Sequence, residues 1–418
     1  MAVRDRLVHL LTEAAEIEHN LLCSYLYAAF SLKCGEGDGL SPGEWAAVQR
    51  WRKTVLGVAI EEMSHLALVN NLLVALGGAP HFDRPNLPVP AGYHPAGFVI
   101  RLAPLTKATL DHFIYLERPE DAAVPEGAGT YQRRPSLERA KTPGALSPST
   151  PDYETIGEFY AAIRASLIAF GDAATRDGTF NLEGQLSPAI ANLPGLLIVR
   201  TLQDALQAVD TIIEQGEGSS CGKQNCHFSR FQAMRHEWSA LEAHNPAFVP
   251  HLPAAHDPVM RKPQDGLERT WIIEPRAARL LDLGNALYAL TLTCLQHAYS
   301  PALKPDRRKI LVEGAIGLMH AAATIGTRLA SMPAQPGGGI NAGLTFAVPR
   351  NLNALGAAML APVLVERLRE LRLAAQALDM DAVAANLREV EGRLPLPSPD
   401  EAPIEGRPEE PVAVAGGR

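Results

Sequence analysis

The chain has 418 residues, 47% of them hydrophobic, a length that allows two or three domains with their own cores and a composition that excludes a disordered chain. A net charge of −8 without a Lys/Arg cluster argues against nucleic acid or an anionic membrane as partner, and no apolar run reaches bilayer length. Five cysteines, an odd number, do not read as a disulfide framework, and the start Met1–Leu7 lacks the apolar core of a secretory signal, so a cytoplasmic location is the expectation.

The first predicted helix covers residues 4–33. Leu7, Leu11, Ala14, Glu18, Leu21, Tyr25 and Ala28 share one stripe, so Glu18 stands where a core residue belongs, whereas Glu13 and Glu16 lie at a solvent edge. Residues 34–40 form a turn. Ser41-Pro42-Gly43-Glu44 then supplies an N-cap, a proline at the first helical position and a capping-box glutamate for a second helix that stops at Gly77-Gly78. Its stripe holds Val48, Val55, Val58, Glu62, Leu66, Val69, Leu73 and Leu76. His65 follows Glu62 by three residues, so both project from one face. A carboxylate on a buried stripe is costly unless it is paired or bound to metal. Glu-x-x-His on a bundle-core helix is a known way to hold a two-metal centre. Glu61 points along an adjacent face, either behind the ligands or into solvent.

Residues 79–105 are broken by prolines and contain a β-prone run, 97–103, expected as a short strand or extended connection. Lys107–Leu116 is a short helix, and 119–152 a crossover, lid or disordered insert. The third bundle helix is expected at 153–170. Glu158 sits beside its stripe, and by spacing alone is divided between ligand and solvated edge. A fourth helix, from Leu202, ends in Glu214-Gln215-Gly216-Glu217-Gly218, and another opens at His227. Two acids at a helix C-terminus oppose the macrodipole, which a cation would explain. Cys221 and Cys226 read as reduced, incidental thiols rather than a zinc pair. Residues 243–270 are a Pro-rich linker. A C-terminal helical domain (271–393) has helices at about 275–299, 305–331 and 355–392, and 394–418 read as a disordered tail. The Gly-rich 337–346 stretch suits close backbone packing or a loop over a pocket.

Six segments, Glu16-Ile-Glu-His19 with Tyr25, Glu61–His65, Leu116–Pro119, Thr155–Tyr160, Glu214–Gly218 and His227–Phe231, occur in this order in one group. They resemble the ferritin-like domain of iminophenylpyruvate (iminopyruvate) dimer synthases of bisindole pigment pathways such as violacein and rebeccamycin, with their stand-alone bacterial relatives. The resemblance covers about residues 5–240. It implies an all-α fold, a ferritin-like four-helix bundle (1–242) with long crossover loops, followed by the smaller helical domain. It also implies metal contacts at Glu18, Glu62, His65, Glu158, Glu214 and His227, with Glu217 as an alternative to Glu214 or a further ligand. Two metal ions are expected, iron first and manganese as the alternative, with haem ranked last because no attachment motif occurs. The expected activity is a non-haem di-iron oxidase or oxygenase using O2 or peroxide on a small amino- or imino-acid-like substrate in secondary metabolism. Tyr25 is its candidate catalytic tyrosine, as electron donor or ligand support, with core packing as the other reading. The alternative is a metal-binding scaffold without turnover. A homodimer is the expectation from architecture.

Overall fold

The computed structural model describes residues 3–95, 98–122, 124, 149–174, 180–216, 225–264, 269–352 and 356–393. Among them are ten α-helices and no strand beyond isolated bridges such as Val89 with Ile100, which is all that forms in the β-prone run. In order they are α1 (Val3–Ser31), α2 (Pro42–Ala75), α3 (Lys107–Leu116), α4 (Ile156–Ala174), α5 (Leu202–Gln215), α6 (His227–His244), α7 (Pro275–Ala298), α8 (Pro305–Leu329), α9 (Ala357–Ala377) and α10 (Asp381–Arg393).

The four-helix ring is closed by α1 on α2, α2 on α5, α5 on α4 and α4 on α1. Leu7, Leu10, Leu11, Ile17 and Leu21 of α1 are fully buried with Val48, Val55, Val58, Leu68, Val69 and Leu72 of α2. Each contributes roughly 1.5–3 kcal/mol, so the seam can carry a few polar side chains whose burial is costly. α3 packs on α6, and α6 also on α2.

Local chemistry sets the helix ends. Ser41 Oγ accepts the Glu44 N–H (3.4 Å) and Glu44 returns a carboxylate to the Ser41 N–H (2.7 Å), which starts α2 as its sequence predicts. α2 ends where the Gly78 N–H bonds to Leu73 O at 2.9 Å, with Gly77 at φ 82°. Arg52 of α2 ties down the end of α1 and the chain that leaves it, donating to Ala29 O (2.9 Å), Leu32 O (2.6 Å) and Lys33 O (3.0 Å). Asn71 holds the 180–199 loop against α2 by donating to Leu186 O and Leu197 O, each at 2.8 Å. Contrary to the expectation that no apolar run reaches bilayer length, α2 and α8 are long and apolar enough to cross a bilayer by length and composition. In α2, however, 83% of the apolar window is buried in the core, and half of the α8 window is buried.

Helices α7 to α10 pack on one another, and α8 also touches α1. The apolar core is continuous through both halves; the Phe30 ring of α1 stacks on Phe346 at 6.3 Å. In the 243–270 stretch, Ala255 O accepts from Tyr27 Oη (2.6 Å), and Asp257 pairs with Arg101 (2.5 Å). Close backbone packing is what Gly343 provides: a Cβ there would stand 2.1 Å from Tyr27 Oη. Two helix expectations are corrected. The run at 355–392 is two helices, because α9 ends at Leu378 with Asp379 in the left-handed region (φ 56°) and Met380 N–H bonded to Ala375 O. α4 begins at Ile156 rather than 153 and continues to Ala174. Most of the expected crossover (125–148) and the expected tail (394–418) lie outside the described residues.

Candidate metal centre

Five donor side chains meet inside the bundle, all fully buried: Glu18 of α1, Glu62 and His65 of α2, Glu117 at the C-terminal end of α3, and His227, the first residue of α6. Glu62 stands in the middle. Its Oε2 faces His65 Nδ1 (3.0 Å) and its Oε1 faces His227 Nδ1 (3.0 Å). Glu18 Oε2 lies 3.4 Å from His65 Nδ1, and Glu117 Oε2 lies 3.4 Å from His227 Nδ1. Two donor groups result, Glu18/Glu62/His65 and Glu62/Glu117/His227, each with ligand atoms within 4.8 Å of one another, and they share Glu62.

Glu18 Oε2, Glu62 Oε1, Glu117 Oε2 and His227 Nδ1 are buried and carry no hydrogen bond. Leaving a buried polar atom unsatisfied costs about 1–3 kcal/mol, more for a charged one. These atoms belong to two neighbouring donor groups that share Glu62, an arrangement that could hold cations. Carboxylate oxygens and imidazole nitrogens without thiolate suit iron or manganese, so this donor set fits a two-metal centre. Without an ion, protons neutralise the cluster. Burial pushes the Glu18 carboxyl up, and the Glu62 charge adds to it, to about 8. Burial also acts upward on Glu62, but the charges of His227 and His65 outweigh it and hold that carboxyl below the usual range. Burial alone would lower both histidines. Glu62, with help from Glu18, instead raises His65 to about 10, and Glu117 and Glu62 raise His227 well above its ordinary value.

A second layer fixes the donors. Tyr160 of α4 donates its hydroxyl to Glu18 Oε1, and Tyr25 of α1 donates to Glu117 Oε1. The Tyr25 ring packs against those of Phe113 (4.7 Å) and Phe231 (5.4 Å), which fixes its direction. Both histidines turn Nδ1 inward and Nε2 outward, to Gln215 Oε1 (3.0 Å) for His65 and to Glu61 Oε2 (2.8 Å) for His227. Glu61 is in turn ion-paired with Arg230. At Gly216 the chain passes so close that a Cβ would stand 3.1 Å from His227 Nδ1 and 3.5 Å from Glu117 Oε2. Its φ of −108° makes no demand for glycine, so the need is for space.

Of the expected ligands, Glu18, Glu62, His65 and His227 are brought together. Glu158 is not. Its carboxylate accepts the Glu154 N–H (2.5 Å) while Thr155 Oγ1 accepts the Glu158 N–H (3.1 Å), so it is spent on starting α4. Glu214 is exposed at the end of α5; the inward positions after Ile212 are Gln215 and Gly216. Glu217 and Cys221 lie outside the described residues, and Cys226 is a buried free thiol. Glu117 was not among the expected ligands, although it follows Leu110 by seven and Phe113 by four, the same spacing that singles out Glu18 and Glu62.

A family model described as Ferritin-like matches residues 11–236. The chain is 27% identical over 339 residues to the 2-imino-3-(indol-3-yl)propanoate dimerase of Chromobacterium violaceum, covering 74% of this chain and 30% of that protein. It is 27% identical over 360 residues to the dichlorochromopyrrolate synthase of Lentzea aerocolonigenes, covering 76% of this chain and 33% of that protein. The chain thus spans about a third of the length of the curated relatives it matches. A crystal structure of a ferritin like protein from Caulobacter vibrioides aligns with a TM-score of 0.48 and 21% identity, over 77% of this chain and 96% of that one. More than half of the chain is matched by the family model, and the chain belongs to the Ferritin-like family.

Proposed function

We propose that the chain is an oxidoreductase with a two-metal carboxylate centre, which uses O2 or peroxide to oxidise a small amino- or imino-acid-like molecule in secondary metabolism. Iron is the metal of choice and manganese the alternative. The observation that carries the reading is the pair of fully buried donor groups that share Glu62, with four of their atoms left without a hydrogen bond. The substrate class is suggested by the imino acid in the name of the Chromobacterium violaceum relative.

In this reading Glu18, Glu62 and His65 would hold one ion, and Glu62, Glu117 and His227 the other. Bound iron would supply redox chemistry toward O2 or peroxide. The chain's own contribution is to exclude water and to fix the donors: all five are fully buried, and the phenols of Tyr160 and Tyr25 hold Glu18 and Glu117 in place. Tyr25 is accordingly a positioning residue for Glu117. Gly216 keeps space beside Glu117 and His227.

The test is oxygen uptake by the iron-loaded protein offered 2-imino acids prepared from aromatic and aliphatic amino acids. Uptake that depends on the imino acid and disappears in Glu62→Ala supports the reading. Bound iron without uptake on any of them would leave a metal-binding scaffold in its place.

A further inference from the structure

The centre is nearly symmetric about Glu62. Each half has one further carboxylate held by a tyrosine hydroxyl and one histidine that turns Nδ1 inward. The halves differ in what holds the outer nitrogen. Behind His65 it is the neutral amide of Gln215, half-buried at the end of α5. Behind His227 it is the carboxylate of Glu61, whose side chain is 25% exposed and paired with Arg230. A carboxylate on the far nitrogen makes an imidazole a stronger metal ligand, because negative charge behind the ring stabilises positive charge in front of it. Loss of such a partner typically weakens metal binding 10–100-fold. An amide oxygen accepts the same hydrogen bond and fixes the same ring orientation with only a dipole to offer.

We infer that the two metal positions are unequal: Glu61 makes the Glu117/His227 position the one that fills first, and Gln215 leaves the Glu18/His65 position the weaker, exchangeable one. Glu61 and Gln215 act through the histidines as positioning and tuning residues. Arg230 pairs with the Glu61 carboxylate and holds it toward His227 while lessening its effect, so the difference is one of degree. The inference rests on the two-metal reading above.

The experiment is anaerobic Co(II) titration of the full chain, followed by calorimetry and by visible absorption, with no turnover needed. The wild type is expected to bind two equivalents in separate steps at least about tenfold apart. Glu61→Gln keeps a hydrogen-bond acceptor and removes the charge; it should weaken the first step about 10–100-fold and leave the second unchanged. Gln215→Glu should strengthen the second step. The double variant should reverse the order, so that His65→Ala, which spares the strong position in the wild type, removes it in the double variant. Two equal steps in the wild type, or a Glu61→Gln effect spread evenly over both, would overturn the inference while leaving the two-metal reading intact. A wild type that binds no Co(II) would overturn both. Unchanged thermal unfolding of the metal-free variants separates tuning from damage to the fold.

Discussion

Glu62 and Glu117 separate a two-metal centre from a single site, because Glu62 belongs to both donor groups and Glu117 to one. Glu62→Ala is expected to remove both metal equivalents, and Glu117→Ala one of the two, with Glu18 and His65 keeping the other. Elemental analysis of the purified variants reads this directly; full metal content in Glu117→Ala would remove it from the site. The two-turn spacing that puts Glu18 and Glu62 among leucines and valines made them legible from sequence. It would have served for Glu117 as well, but α3 is only ten residues long and Glu117 sits at its last turn, where a charged residue is ordinary. Glu158 shows the opposite error. Thr155-Ile-Gly-Glu158 is a helix-start signature, and read as such it assigns the carboxylate to backbone N–H groups before any metal is considered.

At the scale of elements, the Ser41 cap and the Gly77-Gly78 stop gave the ends of α2 within one residue, because those ends are fixed by local hydrogen bonds. Ser41→Ala removes an N-cap and should lower stability by about 1 kcal/mol. Glu158→Ala should lower it by a similar amount while leaving metal content untouched, a pairing checked by urea unfolding beside elemental analysis. Loss of metal in Glu158→Ala would return that residue to the centre. The break between α9 and α10 was not legible. It uses Asp379 in a left-handed conformation where glycine would be the usual signal, and Asp is among the few other residues that take it readily. The surrounding alanines and leucines continue the helical pattern across it.

For the molecule as a whole, the continuous core from α1 to α9 depends on close approaches that no periodicity reveals. Gly343 against Tyr27 is one, and Gly343→Ala should cost roughly 1–3 kcal/mol by overpacking, seen as a lower midpoint in thermal or urea unfolding. Acid sensitivity is a second global property. His112 is buried, donating Nε2–H to Val99 O at 2.8 Å, and burial lowers it to about 4. Below its ordinary value of 6.5 the unfolded chain takes up a proton that the folded chain refuses, so stability falls with pH through the window from 6.5 to about 4. The full contribution is about 3 kcal/mol. His112→Gln lacks this titration, so the stability difference between wild type and variant should shrink as pH drops from 7 to 5. A constant difference would mean that His112 does not titrate abnormally. The overall bundle was legible in the sequence, whereas these contacts arise from chain segments that are far apart in sequence and meet only on folding.

An anomalous-scattering map of crystals grown from iron-loaded protein tests the central claim most directly. Two peaks are expected, with Glu62 between them, Glu18 and His65 on one and Glu117 and His227 on the other. A single peak, no peak, or a second ion held by Glu158 or Glu214 in place of Glu117 would contradict the account.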